Sequence, residues 1–450
     1  MKVAIVGTTH SGLVTAASLS EVGHSVTIVD TDRTRVARLR EGILHPVDSA
    51  LAESMRRNAQ ELRLDFSASL SDGTRGAEVI VLALPSPSNN DGVTDMSAWA
   101  TMAGRLASML RPYTVVAVVG TLRPGGTQLI RTILEEDGRR AGRDFDVVSL
   151  PSLHNHRATL HEALAPRRIV VGGESEHALR VLRKLYAPFL RQGSTLVPVG
   201  ERSAEAMRYA TAAFQVVLQS LAREVADFCE EGGAVIDEVL GELQHDAASG
   251  LHAMALGSAV RASPAECDLR DARAMAELSI AWGCAPSTLS ASLEQLPRTL
   301  EGILQRLRGT IGDELDGRRI ALWGLAGWGE DDDSDHALGL QLARALLSSG
   351  AHVVIHAPGV DEAVGHALGN LADLSDSPMA ALASADALVV LSDLPAIRAT
   401  DFTRVRRLMT RPVVIDPLWL WNQGEMLAAG IAYNTTPVAL RDSERHALSS

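Results

Sequence analysis

The sequence predicts an α/β chain of two doubly wound parallel sheets joined by a long central helix and a helical segment. Three patterns carry that prediction. A compact βαβ unit opens the chain, and a second strand-helix alternation begins near Arg318. Between them, from Ala204 to about Glu242, apolar residues recur at i, i+3, i+4 and i+7 without a proline. Strands separated by helical stretches form parallel sheets covered on both faces.

The elements follow in order. Residues 2–6 (KVAIV) form a short apolar strand, a glycine-bearing turn leads into a helical run over 13–19, and a second strand over 25–29 ends at Asp30. Further apolar runs of strand length stand at 78–84, 114–119, 146–150 and 168–171, and in the second half at 319–325, 352–356, 387–391 and 412–416. These divisions predict an N-terminal domain over 1–200, a central helical domain over 201–310, a C-terminal domain over 311–440 and a polar tail over 441–450.

Composition narrows the function classes. The 450 residues are 46% hydrophobic and 22% charged with a formal net charge of −13, an ordinary globular balance whose sign repels nucleic acid and anionic membrane surfaces. No apolar run approaches the roughly 20 residues needed to span a bilayer, and the first residues lack a signal-peptide pattern. The three cysteines, Cys229, Cys267 and Cys284, are widely spaced and form no CxxC pair, so neither a disulfide framework nor a thiolate metal site is expected. A reducing cytoplasm is the expected compartment. Of the 42 basic residues only Lys2 and Lys184 are lysine, so amine chemistry has few candidates.

The turn Gly7-Thr-Thr9-His-Ser-Gly12 sits between the first strand and first helix, with Asp30 closing the second strand. This is the context of the Rossmann Gly-x-Gly-x-x-Gly fingerprint, and both sheets are expected to be Rossmann-like. In that fingerprint the first glycine makes the turn, the second admits the pyrophosphate, the third allows close helix packing, and the acid binds the adenosine ribose. Thr9 replaces the second glycine, which predicts either a shifted loop or weakened dinucleotide binding. Asp30 favours NAD over NADP because a carboxylate repels a 2′-phosphate. A Rossmann-shaped domain that no longer binds dinucleotide is the competing reading.

Motif order along the chain resembles the UDP-glucose/UDP-N-acetylmannosamine (UDP-glucose/GDP-mannose) dehydrogenase family. The residues that carry the resemblance are the opening GTTHSGLVTAASLSEVGHSVTIVD, LPSPSNNDGVTDMS (84–97), GTLRPGGT (120–127), SLPSLHNHRATLHEALAPRRIVVG (149–172), SAEAMRYATAAF (203–214), CDLRD (267–271) and RRIALWGLAGWGEDDDSD (318–335). The resemblance implies oxidation of a nucleotide sugar's C6 alcohol to the acid, using NAD and a cysteine nucleophile that passes through a thiohemiacetal and a thioester. It places Cys267 at the nucleophile, Asp271 at the motif carboxylate, Thr121 at the water-positioning threonine and Arg208 at the family's helix lysine. Cofactor contacts are implied at Gly7, Thr9, Gly12, Asp30, Pro85 and Thr121, and a homodimer is implied through the central helices. No metal is implied.

Several positions depart from the family pattern. Its glutamate falls on Ser152, its helix asparagine on Ala212 and the lysine of the cysteine motif on Arg270; the glycine-rich loop before the cysteine reads RASPAEC (261–267). In the C-terminal half Trp328, Gly329 and Asp335 replace a lysine, a proline and an arginine. His154, His156 and His161 crowd the segment of the missing glutamate, and solvated loop histidines are the expected reading. These departures predict an oxidoreductase with an altered substrate or a reduced reaction rather than an ordinary UDP-glucose 6-dehydrogenase. A non-catalytic homologue acting as a binding or assembly module is the alternative, in which Cys267 is a small buried hydrophobe.

Overall fold

A computed structural model describes residues 1–42, 49–86, 94–111, 113–151, 160–234, 236, 238–239, 242, 266–325, 338–358, 364–365 and 367–434. It divides into two compact units. One is built from the described residues within Met1–Ala212 and Arg270–Cys284; the other from the described residues within Ala213–Leu269, Ala285–Gly329 and Asp333–Ser450.

The first unit carries strands β1 (Lys2–Val6), β2 (Ser25–Val29), β3 (Leu64–Ser67), β4 (Val79–Leu82), β5 (Thr114–Val118), β6 (Phe145–Ser149), β7 (Arg168–Gly172) and β8 (Thr195–Val199). They form one sheet in the order β3-β2-β1-β4-β5-β6-β7-β8. The expectation of a wholly parallel sheet needs one correction: β6 and β7 meet antiparallel through Ser149 and Gly172, so the chain reverses where β7 joins. The other strand pairs of this sheet are parallel. Central strands such as β4 (VIVL) and β5 (TVVAV) are buried throughout because helices cover both faces, which is why they read as continuous apolar runs.

The helices of this unit are α1 (His10–Glu21), α2 (Arg33–Arg40), α3 (Ser49–Gln60), α4 (Leu70–Gly73), α5 (Ser97–Ala107), α6 (Gly126–Glu135), α7 (Leu160–Leu164), α8 (Glu176–Leu185) and α9 (Ala187–Arg191), followed by the start of α10 (Glu201–Gly232). Helix α1 buries Leu13, Val14, Ala16, Ala17 and Leu19 with Val3, Ile5, Val26 and Ile28 on one face of the sheet. Trp99, Ala103 and Leu106 of α5 and Ile130 and Leu134 of α6 fill the other face. Helix α10 stops at Gly232 rather than near 242, because Gly233 takes a left-handed φ of 71° and caps the helix, Ala234 N–H donating to Cys229 O at 2.8 Å.

In the second unit β9 (Arg319–Trp323), β10 (His352–His356), β11 (Asp373–Leu374), β12 (Ala387–Val390), β13 (Val413–Ile415) and β14 (Ala432–Asn434) pair in parallel in the order β11-β10-β9-β12-β13-β14. This is again a doubly wound order with a reversal beside its first strand. Helix α12 (Ser287–Ile311) precedes it, while α11 (Glu266–Ala281) belongs from Arg270 onward to the first unit. Both sheets have the Rossmann-like winding expected from the sequence.

Candidate active site

The order of winding in the first sheet reverses between the parallel strands β1 and β4, and a cleft opens there at the carboxyl ends of the strands, where doubly wound folds take their ligands. Gly7, Thr8, Thr9, Asp30, Arg35, Leu84 and Pro85 are among its lining residues. Gly7 has a φ of 107°, and a Cβ there would stand 2.1 Å from the carbonyl oxygen of Ala83. At Gly12 a Cβ would lie 2.9 Å from that of Ala83, so the third glycine lets α1 approach β4. Thr9, by contrast, has a φ of −59° and needs no glycine for its backbone; it is the N-cap of α1, accepting from Gly12 N–H at 3.3 Å and donating to Ala83 O at 3.1 Å.

Asp30 is held by a defined set of partners. Thr8 Oγ1 donates to its Oδ2 at 2.5 Å, Asp32 N–H donates to Oδ1 at 2.9 Å, and Arg35 Nη1 lies 3.8 Å from Oδ2 and 3.2 Å from the Thr8 hydroxyl. The carboxylate is thereby fixed in the wall of the cleft. Thr8 and Arg35 were not expected as site residues, although Thr8 lies between the glycines. The obligatory Gly7, the close-packed Gly12 and the anchored Asp30 fit a dinucleotide such as NAD.

A second cluster centres on Asp271 of α11, which is fully buried. Thr121 Oγ1 donates to Asp271 Oδ2 at 2.6 Å and Arg208 Nε of α10 donates to the same oxygen at 2.9 Å. Arg270 donates to Oδ1 through Nε and Nη2 at 3.3 and 3.2 Å. Thr121, Arg208 and Arg270 are 2%, 3% and 8% exposed, so two guanidiniums and one carboxylate lie almost out of water. Such a grouping persists only with its hydrogen bonds satisfied. Three residues singled out in the sequence, Thr121, Arg208 and Asp271, thus converge although the last is separated from the first by 150 positions. Cys267 is buried, one helical turn before Asp271 and in the first turn of α11.

Tyr209, adjacent to Arg208, hydrogen-bonds Thr94 at 2.9 Å, and burial pushes its hydroxyl up to about 12. Glu205, also unforeseen, is buried and accepts from the backbone N–H groups of Gly125 at 2.6 Å and Thr127 at 2.7 Å. Its signal in the sequence is slight: an acid one helical turn before Arg208. Ser152, His154, His156, residues 261–265, Trp328, Gly329 and Asp335 lie outside the described residues; His161 is exposed on α7, and Ala212 is fully buried.

Comparison with known proteins agrees with this geometry. Residues 1–190 match the model of the UDP-glucose/GDP-mannose dehydrogenase family NAD binding domain, and residues 321–423 match that of the family's UDP binding domain. A UDP-glucose 6-dehydrogenase of Pseudomonas aeruginosa is 32% identical over 441 residues, covering 96% of each chain. The chain belongs to the UDP-glucose/GDP-mannose dehydrogenase family. Within this family of nucleotide-sugar dehydrogenases, UDP-glucose 6-dehydrogenase AglM of Haloferax volcanii is 31% identical over 408 residues, covering 89% of this chain and 93% of its own. In fold, a UDP-glucose dehydrogenase from Pyrobaculum islandicum superposes with a TM-score of 0.82 at 24% identity, covering 97% of this chain and 98% of its own. Membership brings an NAD-binding Rossmann domain and a UDP-binding domain. Among the described residues no helix is long and apolar enough to cross a membrane.

Proposed function

We propose that this chain is an NAD-dependent oxidoreductase of a nucleotide sugar, working through Cys267 beside the Asp271 cluster. The observation that carries the proposal is the buried grip of Thr121 and Arg208 on Asp271, which assembles three of the residues such chemistry needs. When bound, NAD supplies the hydride acceptor. Asp30 orients the adenosine ribose, while Gly7 and Gly12 keep the turn clear of side chains next to α1. The Cys267 sulfur adds to the sugar aldehyde to give a thiohemiacetal, which becomes a thioester on loss of a second hydride to the nicotinamide acceptor. Arg208 contributes positive charge toward the developing oxyanion. Thr121 and Asp271 orient the water that cleaves the thioester. With Thr121 and two guanidiniums donating to it, Asp271 serves as a hydrogen-bond acceptor that holds the cluster together.

Ser152 and Ala212 give this site its own character. Ser152 supplies no carboxylate for acid-base work, and the Ala212 methyl replaces an amide donor, a kind of loss that costs roughly 10²–10³ in kcat. We therefore propose an altered substrate or a reaction that halts after the first hydride, with UDP-glucose turned over poorly. Comparing kcat/KM for UDP-glucose with other UDP- and GDP-sugars, and analysing aldehyde against acid products, tests this. Rapid conversion of UDP-glucose to the acid would refute it. The replaced glutamate and asparagine also favour the second reading, a non-catalytic binding module, which predicts no NADH from any nucleotide sugar.

The working state in this proposal is a cytoplasmic homodimer. Phe214, Leu221 and Phe228 recur every seven residues on α10 and are 69%, 51% and 78% exposed, a surface stripe suited to a second copy of the same helix.

A further inference from the structure

The Glu205 carboxylate bonds the backbone of the loop that carries Thr121. We infer that Glu205 is a positioning residue: it sets the 120–127 loop and, through it, the Thr121 hydroxyl against Asp271. The inference rests on the proposed role of Thr121 and Asp271.

The contacts close a ring. Glu205 and Arg208 are one turn apart on α10. Glu205 holds the loop through Gly125 N–H and Thr127 N–H, Thr121 at the loop's start donates to Asp271, and Asp271 accepts from Arg208, returning to α10. The loop's conformation makes this grip necessary. Gly125 sits at a left-handed φ of 95°, with no side-chain cap for α6; Gly126 N–H donates to Arg123 O at 2.7 Å, while the N–H groups on either side of it, of Gly125 and Thr127, turn to Glu205. Glu205, only 2% exposed, provides the acceptor from another element and adds a negative charge at the helix's positive end. The start of α10 has little freedom of its own: Gly172 of β7 leaves room for Ala204, where a Cβ would come within 2.4 Å of the alanine's. Arg131 of α6 pairs with Glu201 one turn earlier, a second tie between the same two helices.

A carboxylate is needed because both partners are donors. Glutamine accepts at one oxygen and turns an N–H₂ group toward the other amide, leaving two donors facing each other in a buried site. Glu205→Gln should therefore loosen the loop without touching the Asp30 wall of the cleft.

The test pairs Glu205→Gln with Thr121→Val and their double variant. Hydrogen exchange by mass spectrometry on the peptide spanning 120–127 is expected to speed up at least about tenfold in Glu205→Gln; unchanged exchange overturns the inference whether or not the enzyme turns over. With the best nucleotide sugar, kcat should fall at least about tenfold while KM for NAD stays within about twofold, and the double variant should be no slower than Thr121→Val alone. Additive losses, or an equal rise in KM for NAD, would show that Glu205 acts elsewhere. If Thr121→Val itself leaves kcat unchanged, the proposed role of Thr121 fails, and the Glu205 inference falls with it. If Thr121→Val slows turnover and Glu205→Gln does not, only the Glu205 inference fails.

Discussion

Asp271 is buried and accepts from Thr121, Arg208 and Arg270, and Asp271→Asn removes the charge that two buried guanidiniums share. Breaking a buried charge grouping from one side costs about 3–5 kcal/mol. Asp271→Asn is expected to lose that much in denaturant unfolding, along with turnover; a loss below about 1 kcal/mol would mean the arginines do not depend on it. Thr9 behaves differently. Its backbone is relaxed and its hydroxyl is occupied by Ala83 O and Gly12 N–H. Replacing a threonine cap by glycine costs a few tenths of a kcal/mol, so Thr9→Gly should leave stability nearly unchanged. NAD affinity, by calorimetry, should change by less than about tenfold, or about 1.4 kcal/mol. A hundredfold gain would show that the threonine obstructs the pyrophosphate. Gly7, Gly12 and Asp30 were legible because fixed backbone geometry demands them at fixed spacing. Glu205 was not, since its partners lie about eighty positions away and an acid in a helix's first turns has many uses.

At the level of elements, the strands that escaped the sequence reading are β3, β8, β11 and β14, and these are the four edges of the two sheets. Central strands are covered on both faces and announce themselves as apolar runs; edge strands are shorter or half-exposed and carry polar residues. Pro198 within β8 shows the reason most clearly, for a residue without an N–H is tolerated on an edge strand but breaks an interior ladder. His24 ties together the start of β1 and the end of α8. It accepts from the Met1 amine at 3.2 Å through Nδ1 and donates to Leu185 O at 2.7 Å through Nε2. Burial, first of all, depresses its affinity for a proton, and the adjacent N-terminal charge acts the same way. The unfolded chain therefore binds more protons between the lowered value and about 6.5, so stability rises with pH through that window and is lost as pH falls. Unfolding midpoints measured across it should climb in the unmodified protein and flatten in His24→Gln; an identical slope in both would place the dependence elsewhere.

For the whole molecule, the paired Rossmann-like winding was legible because strand and helix periods alternate so regularly. The exposed stripe on α10 was legible only as a long amphipathic helix, since the outward turn of Phe214, Leu221 and Phe228 depends on what the other faces of α10 bury. If that stripe seats a second copy, sedimentation should give twice the chain mass, and Phe214→Glu with Phe228→Glu should give the monomer. Retention of the dimer by that variant would assign the interface to another surface. The chemistry itself is tested most directly by mixing the protein with NAD and nucleotide sugars, quenching within one turnover, and measuring both NADH and the mass of the peptide containing Cys267. NADH together with a sugar-nucleotide adduct on Cys267, and no acid product from Cys267→Ser, is the expected result. Equal acid formation by Cys267→Ser, or no NADH from a protein that binds NAD, would contradict it.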